Sequence, residues 1–165
     1  MQELELHDQR HLEAAEGWLG LGDVVEASEE LERITPQMRA HPFVLEVRWQ
    51  IYAKAKKWDY AVEVARGLTN MLPDHPNCWI HLAFSLHELN RTREAKEVLL
   101  PIVDKFPEEF LIRYNLACYE CQLGNQNEAF QWLQLAIDMA GKADVRSMAL
   151  NDLDLEPMWA GIEAI

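Results

Sequence analysis

The sequence has few cysteines, prolines and glycines, and it contains no long apolar run. Its 165 residues include three cysteines, which are too few, and odd in number, for the disulfide framework of a secreted domain. No apolar stretch approaches the roughly 18 residues that a membrane-spanning helix needs. The first residues show neither the basic start nor the apolar run of a signal peptide. We therefore expect a protein of the reducing cytoplasm.

Positive charge is also scarce. The formal net charge is −13, and lysine and arginine form no cluster of the kind that binds phosphate groups. Nucleic acids and anionic membranes are therefore excluded as expected partners. Residues 1–34 carry ten acidic side chains against Arg10 and Arg33. This asymmetry favours a neutral or basic protein partner, although it also fits a solubilising face on the end of a repeat array.

Motifs for catalysis are missing. The sequence has no glycine-rich phosphate loop, no Gly-x-Ser-x-Gly elbow, no His-Glu-x-x-His and no nucleotide fingerprint. Adjacent acids such as Glu29 and Glu30 point in different directions on a helix, so they do not form an acid/base pair. We expect a protein that is not an enzyme and that uses no cofactor.

The sequence does contain a regular repeat. Alanine recurs every 34 residues, at Ala27, Ala61, Ala95 and Ala129. Small residues at such positions let two helices lie close together, and larger Leu, Trp and Tyr residues fill the space between repeats. Gly22 suits a turn between helices, because a left-handed backbone is cheap only for glycine. The pattern predicts helix–turn–helix repeats at residues 8–41, 42–75, 76–109 and 110–143.

The third repeat contains, in order, Trp79, Leu82, Ala83, Leu86, Ala95, Leu99, Ile102 and Pro107. This order resembles that of the tetratricopeptide repeat family, which is Trp, Leu-Gly/Ala, Tyr, Ala, a bulky residue, Ala and Pro. The resemblance implies an all-α right-handed superhelix of four tetratricopeptide repeats, and it implies a protein–protein interaction scaffold. It assigns residues 1–141 to the array and residues 142–165 to a C-terminal capping helix or tail.

The second repeat departs from the family pattern. Trp49 stands where the family has Gly or Ala, and Ala65 stands where it has a bulky residue. We interpret this as a large–small exchange that conserves volume inside the second repeat.

The C-terminal tail has a pattern of its own. Asn151 to Asp154 read as a turn and helix cap, because short polar side chains bind free backbone N–H groups. Apolar residues then recur at helical spacing, at Leu155, Met158, Trp159 and Ile162. An amphipathic cap over the last repeat is the expected role. A helix that docks on another protein is the alternative.

The repeat register also predicts a binding groove on the first helices of the repeats. Amide, imidazole and aromatic groups there suit a peptide held by hydrogen bonds, with Phe84 and Tyr114 as apolar anchors. For any single residue, ordinary helix surface is the simpler interpretation. The predicted groove residues are Gln50, Lys54, Asn77, His81, Phe84, His87, Tyr114, Asn115, Cys118 and Gln122.

Three other functions stay open. The first is a small acidic chaperone of the secretion type, which holds an apolar client segment. The second is self-association through the ends of the array, for which Trp132 or Trp159 would be the contact. The third is a zinc or redox site, although two cysteines in mid-helix are more often packing residues. Its candidate ligands are Cys118, Cys121, His81 and His87.

Overall fold

A computed structural model describes residues 3–164, and every regular element within that range is helical. The all-α prediction is confirmed. No helix in the described range combines the length and the apolar character of a membrane span. Ten α-helices lie between residues 3 and 164: α1 (Leu6–Leu21), α2 (Val24–Arg33), α3 (Pro42–Lys54), α4 (Trp58–Met71), α5 (Pro76–Glu88), α6 (Thr92–Leu99), α7 (Phe110–Gln122), α8 (Gln126–Ala140), α9 (Lys142–Ala149) and α10 (Trp159–Glu163).

The helices belong to two units, one ending at Ser85 and the other beginning at Leu86. The division falls within α5, so residues 76–85 are described with the first unit and residues 86–88 with the second. The repeat boundaries and the domain division after residue 141 stay predictions. Residues 1, 2 and 165, at the ends of the predicted domains, lie outside the described residues.

Local chemistry explains where several helices begin. Pro42 and Pro76 open α3 and α5, where the missing N–H of proline has no helical partner to lose. Asp23 precedes α2, and its carboxylate accepts hydrogen bonds from the N–H groups of Val25 and Glu26, both at 3.1 Å. Asp23 thus satisfies two backbone donors that would otherwise have no partner at the start of α2.

The turn between the two helices of each pair recurs at 34-residue intervals. One residue in each turn has a left-handed backbone, and the next N–H closes the turn on the carbonyl five residues earlier, as in a Schellman motif. Glycine takes this position in two of the four turns, including the turn predicted at Gly22. The left-handed residues and their φ angles are Gly22 at 89°, Lys56 at 54°, Asn90 at 61° and Gly124 at 85°.

The repeating alanines lie on the second helices of the pairs and are buried there. The helices α1 and α2, α3 and α4, and α7 and α8 pack against each other as pairs. Ala27, Ala61, Ala95 and Ala129 each have no exposed surface. A larger side chain at these sites would separate two close-packed helices, since protein interiors leave little free volume.

The C-terminal tail packs within the second unit. A 3₁₀-helix at Leu153–Met158 lies against α7, and α10 contacts both this turn and α9. The side chains of Leu155, Met158 and Ile162 are buried, as their helical spacing predicts. The Trp159 indole N–H donates to the carbonyl of Ala149 at 2.9 Å. This Trp159 bond fixes α10 against the end of α9.

A pair of glycine substitutions tests the turn geometry. Gly22→Ala is expected to lower the free energy of unfolding by about 1–2 kcal/mol, because a Cβ is strained in the left-handed region. Gly17→Ala is expected to raise it by about 0.5–1 kcal/mol, because Gly17 lies inside α1. A Cβ at either site meets nothing within 4 Å, so the difference reports the backbone preferences of the two sites and not a side-chain clash. Urea titration measures both variants, and the same sign for the two would contradict the turn geometry.

Candidate peptide-binding site

In the first unit, α3 and α5 are joined by a polar contact next to the predicted groove residues. The imidazole Nε2 of His81 lies 2.6 Å from a carboxylate oxygen of Glu46. The His81 ring also stacks on Trp49, with ring centroids 3.5 Å apart and planes 13° apart. Trp49 in turn donates its indole N–H to the Ser85 hydroxyl at 2.9 Å. One residue of α5, His81, is therefore held by both a carboxylate and an aromatic face of α3.

This contact revises the interpretation of Trp49. The sequence predicted that its ring fills space inside the second repeat, opposite the small Ala65. In the structure, Trp49 is half-buried and its ring lies against His81 and Ser85 of α5. The large aromatic ring at this position therefore contacts the following helix, α5.

The environment of Glu46 favours its ionised form. Burial raises the pKa of this carboxyl, but the hydrogen bond and charge of His81, with a further hydrogen bond from Gln50, outweigh that effect. The net result is a pKa below the ordinary value of 4.5. Glu46 thus links Gln50 and His81, two of the predicted groove residues.

The other predicted groove residues of the first unit differ in exposure. Gln50 and Asn77 are exposed. Phe84 is half-buried, and its ring meets Trp58 edge to face, with centroids 5.5 Å apart. Lys54 donates from Nζ to the carbonyl of Leu19 at 2.8 Å, at the carboxyl end of α1. A cation is favoured at a helix carboxyl end, so Lys54 has a structural partner.

In the second unit, the predicted groove residues of α7 bind the protein's own C-terminal tail. The Tyr114 hydroxyl donates to a carboxylate oxygen of Asp152 at 2.9 Å. The Cys118 thiol donates to the same oxygen at 3.5 Å. The Gln122 amide donates to the carbonyl of Asp154 at 2.8 Å. Asn115 is half-buried on the same helix. Three of the four predicted residues of α7 therefore hold one short segment, residues 152–154.

His87 completes this contact from the end of α5. Its Nε2 lies 2.9 Å from a carboxylate oxygen of Asp154, and its Nδ1 lies 2.9 Å from the Thr92 hydroxyl. A carboxylate accepts only, so Nε2 is the donor to Asp154. The His87 ring also packs on Tyr119, with centroids 4.9 Å apart.

The cysteines lie in environments that keep them as thiols. Burial, followed by the charges of Asp152 and Asp154, raises the pKa of Cys118 well above its ordinary value. Burial also raises the pKa of Cys121 and of Cys78. A thiolate is the form that binds metal or attacks a disulfide. Within residues 3–164, no three His, Cys, Asp or Glu side chains form a group suited to a metal ion.

Sequence reasoning missed three acidic residues of these contacts: Glu46, Asp152 and Asp154. A signal for Glu46 was present, since Glu46 precedes Tyr114 by two repeat periods and so occupies the same register position. Asp152 was predicted as a cap, and one of its oxygens does accept from the Asp154 N–H at 3.0 Å. The second oxygen binds α7, and nothing in the local sequence indicates that partner.

Two tyrosines of α7 test the tail contact as a matched pair. Tyr114→Phe is expected to lower the free energy of unfolding by about 1.5 kcal/mol, because Asp152 loses a hydrogen-bond donor. Tyr119→Phe is expected to be neutral or stabilising, because the buried Tyr119 hydroxyl has no hydrogen-bond partner among residues 3–164. Urea titration compares them. Equal losses would contradict the assignment of the Tyr114–Asp152 bond.

The Glu46–His81 contact predicts a pH dependence. Because the pKa of Glu46 is lowered in the folded state, its carboxylate contributes stability above the ordinary pKa of 4.5 and loses it as the pH falls through the folded value. Glu46→Gln should therefore lower the free energy of unfolding by about 1 kcal/mol at neutral pH. The loss should become progressively smaller as the pH falls through the folded-state pKa of Glu46. Glu63→Gln, on an exposed site of α4, is the control. A Glu46→Gln cost that persists unchanged at acidic pH would contradict the prediction.

Comparisons with known proteins are informative about the fold. No protein-family model matches the sequence, and no curated protein resembles it in sequence. Among solved structures, the chain is similar to MamA 41-end from Desulfovibrio magneticus RS-1, with a TM-score of 0.74 and 16% identity over 98% of this chain and 94% of that one. It is also similar to MamA MSR-1 C2, with a TM-score of 0.70 and 22% identity over 82% of this chain and 78% of that one. The fold is of the tetratricopeptide-like helical-repeat type.

Proposed function

We propose that the protein is a non-enzymatic scaffold that binds a segment of a partner protein on its first unit. The proposed site, the α3–α5 surface, consists of Gln50 on α3 with Asn77, His81 and Phe84 on α5. The shortage of cysteines favours a reducing compartment such as the cytoplasm for this interaction.

The observation that carries this proposal is the contact between α7 and the C-terminal tail. A hydroxyl, a thiol and an amide at groove positions of α7 bind the tail at Asp152 and at the Asp154 carbonyl. Residues at these register positions are therefore able to hold a peptide segment in this protein. Phe84 and Gln50 occupy the register position of Cys118, one and two repeat periods earlier.

The α3–α5 surface has the groups that such binding requires. The exposed amides of Gln50 and Asn77 offer donors and acceptors to a peptide backbone. Phe84 offers an apolar contact beside Trp58. The stack of His81 on Trp49 and its bond to Glu46 hold the surface in one arrangement, which lowers the entropy cost of binding.

The charge of the chain indicates the kind of partner. A net charge of −13 repels acidic proteins and speeds encounter with basic ones. We therefore expect the bound segment to be neutral or basic.

Affinity capture from the cells that make the protein tests the proposal. The triple variant Gln50→Ala, Asn77→Ala and Phe84→Ala is expected to lose the specific partner, because it removes both exposed amides and the apolar contact. His81 is left unchanged because it binds Glu46. Tyr114 is left unchanged because it binds Asp152.

A second triple variant tests whether removing any three exposed side chains weakens partner binding. Gln37→Ala, Asn70→Ala and Met71→Ala remove similar side chains from exposed sites elsewhere in the first unit. This control should retain the partner. Circular dichroism and urea titration establish that both variants are folded. If the folded α3–α5 variant retains every partner, the proposal is wrong.

A further inference from the structure

A second candidate site is an open cleft at the start of the first unit. It has a volume of about 530 Å³, and α1 and the start of α3 form its walls. Leu4 and Leu12 are nearly buried in its lining, whereas Phe43 leaves 62% of its surface exposed. An exposed aromatic ring next to buried leucines forms an apolar surface that a partner side chain would cover.

Local bonds hold the walls of this cleft in place. The Gln9 amide donates to the carbonyl of Leu4 at 2.8 Å, which fixes the segment before α1. His41 is buried, and its Nδ1 accepts from the N–H of Phe43 at 3.3 Å. The His41 and Phe43 rings pack together with centroids 5.1 Å apart. The cleft is therefore built from side chains with defined partners.

The charged side chains in the described lining of the cleft are acidic. Its described lining includes Glu3, Glu13 and Glu16, and it contains no lysine or arginine. All three glutamates are exposed. Glu13 and Glu16 are three residues apart on α1, so they project from neighbouring points of one helix face. Carboxylates at the rim of an apolar surface attract a cation to the same place that holds an apolar group.

We propose that this cleft binds a basic peptide segment in which lysine or arginine flanks one apolar side chain. The apolar side chain contacts Leu12 and Phe43, and the flanking cations pair with Glu13 and Glu16. The inference rests on the proposed function in one respect. Phe43 precedes Gln50 by seven residues on one side of α3, so the cleft extends the α3–α5 surface.

Fluorescence anisotropy with a labelled synthetic peptide tests the inference on the full chain. The probe carries one leucine between lysines, and two matched probes replace the leucine by serine or the lysines by glutamate. The first probe should bind, and both matched probes should bind at least about tenfold more weakly. Double reversal by Glu13→Lys and Glu16→Lys should weaken binding about tenfold, and Phe43→Ser should do the same.

Control variants separate this site from general attraction. Asp59→Lys and Glu63→Lys make the same charge change on exposed sites of α4 and should leave binding within about twofold. An equal loss in this control would overturn the inference, because the attraction would then be long-range. Failure of the probe to bind would also overturn it. The result of the affinity capture experiment would still stand, because that experiment depends on Gln50, Asn77 and Phe84.

Analytical sedimentation measures whether the protein self-associates. The turn with Lys56 and Lys57 carries exposed cations next to Trp58. If the protein self-associates, and both the cleft reversals and Lys56→Glu with Lys57→Glu abolish the association, the occupant is a second copy and the proposal is wrong. A monomer that binds the probe supports it.

Discussion

The close approach of the two helices within a pair is the constraint on which this structure depends. It requires a small residue at the contact, and alanine recurs there with no exposed surface. It also requires a turn that reverses the chain within a few residues, and the left-handed residue supplies that turn at the same interval. Because both requirements recur every 34 residues, residues one period apart occupy equivalent places in the sequence of each helix pair.

Much of the fold follows from the sequence because its causes are local. Proline at a helix start, aspartate at a cap and alanine at a helix contact each act within a few residues. The turns at Lys56 and Asn90 show the limit of this reasoning. Neither residue is glycine, yet both adopt positive φ because the helices on either side require it. Asparagine adopts this region more readily than most residues, so Asn90 agrees with its local preference, whereas the packing of the pair overrides the preference of Lys56.

The candidate site was less predictable, since its partners are distant in sequence. Register placed Tyr114, Cys118 and Gln122 on one side of α7, and the structure brings these three to one segment. The segment itself was not predicted as their partner, because Asp152 lies 38 residues from Tyr114. The interpretation of Trp49 needed revision for a related reason. A family pattern indicates the size of a side chain at a position, but it does not say which neighbouring helix the ring contacts.

The tail contact bears on how a surface of this kind selects a ligand. On α7, two neutral donors, Tyr114 and Cys118, bind the Asp152 carboxylate, and a third, Gln122, binds the backbone carbonyl of Asp154. Glu46 occupies on α3 the register position that Tyr114 occupies on α7, and it is an acceptor that already binds His81. A segment like Asp152–Asp154 would bring a carboxylate next to the Glu46 carboxylate, and like charges at close range are costly. The same register position thus favours an acidic segment on α7 and disfavours one on α3. One difference, a carboxylate on α3 for the phenol on α7, therefore reverses the charge that this position accommodates.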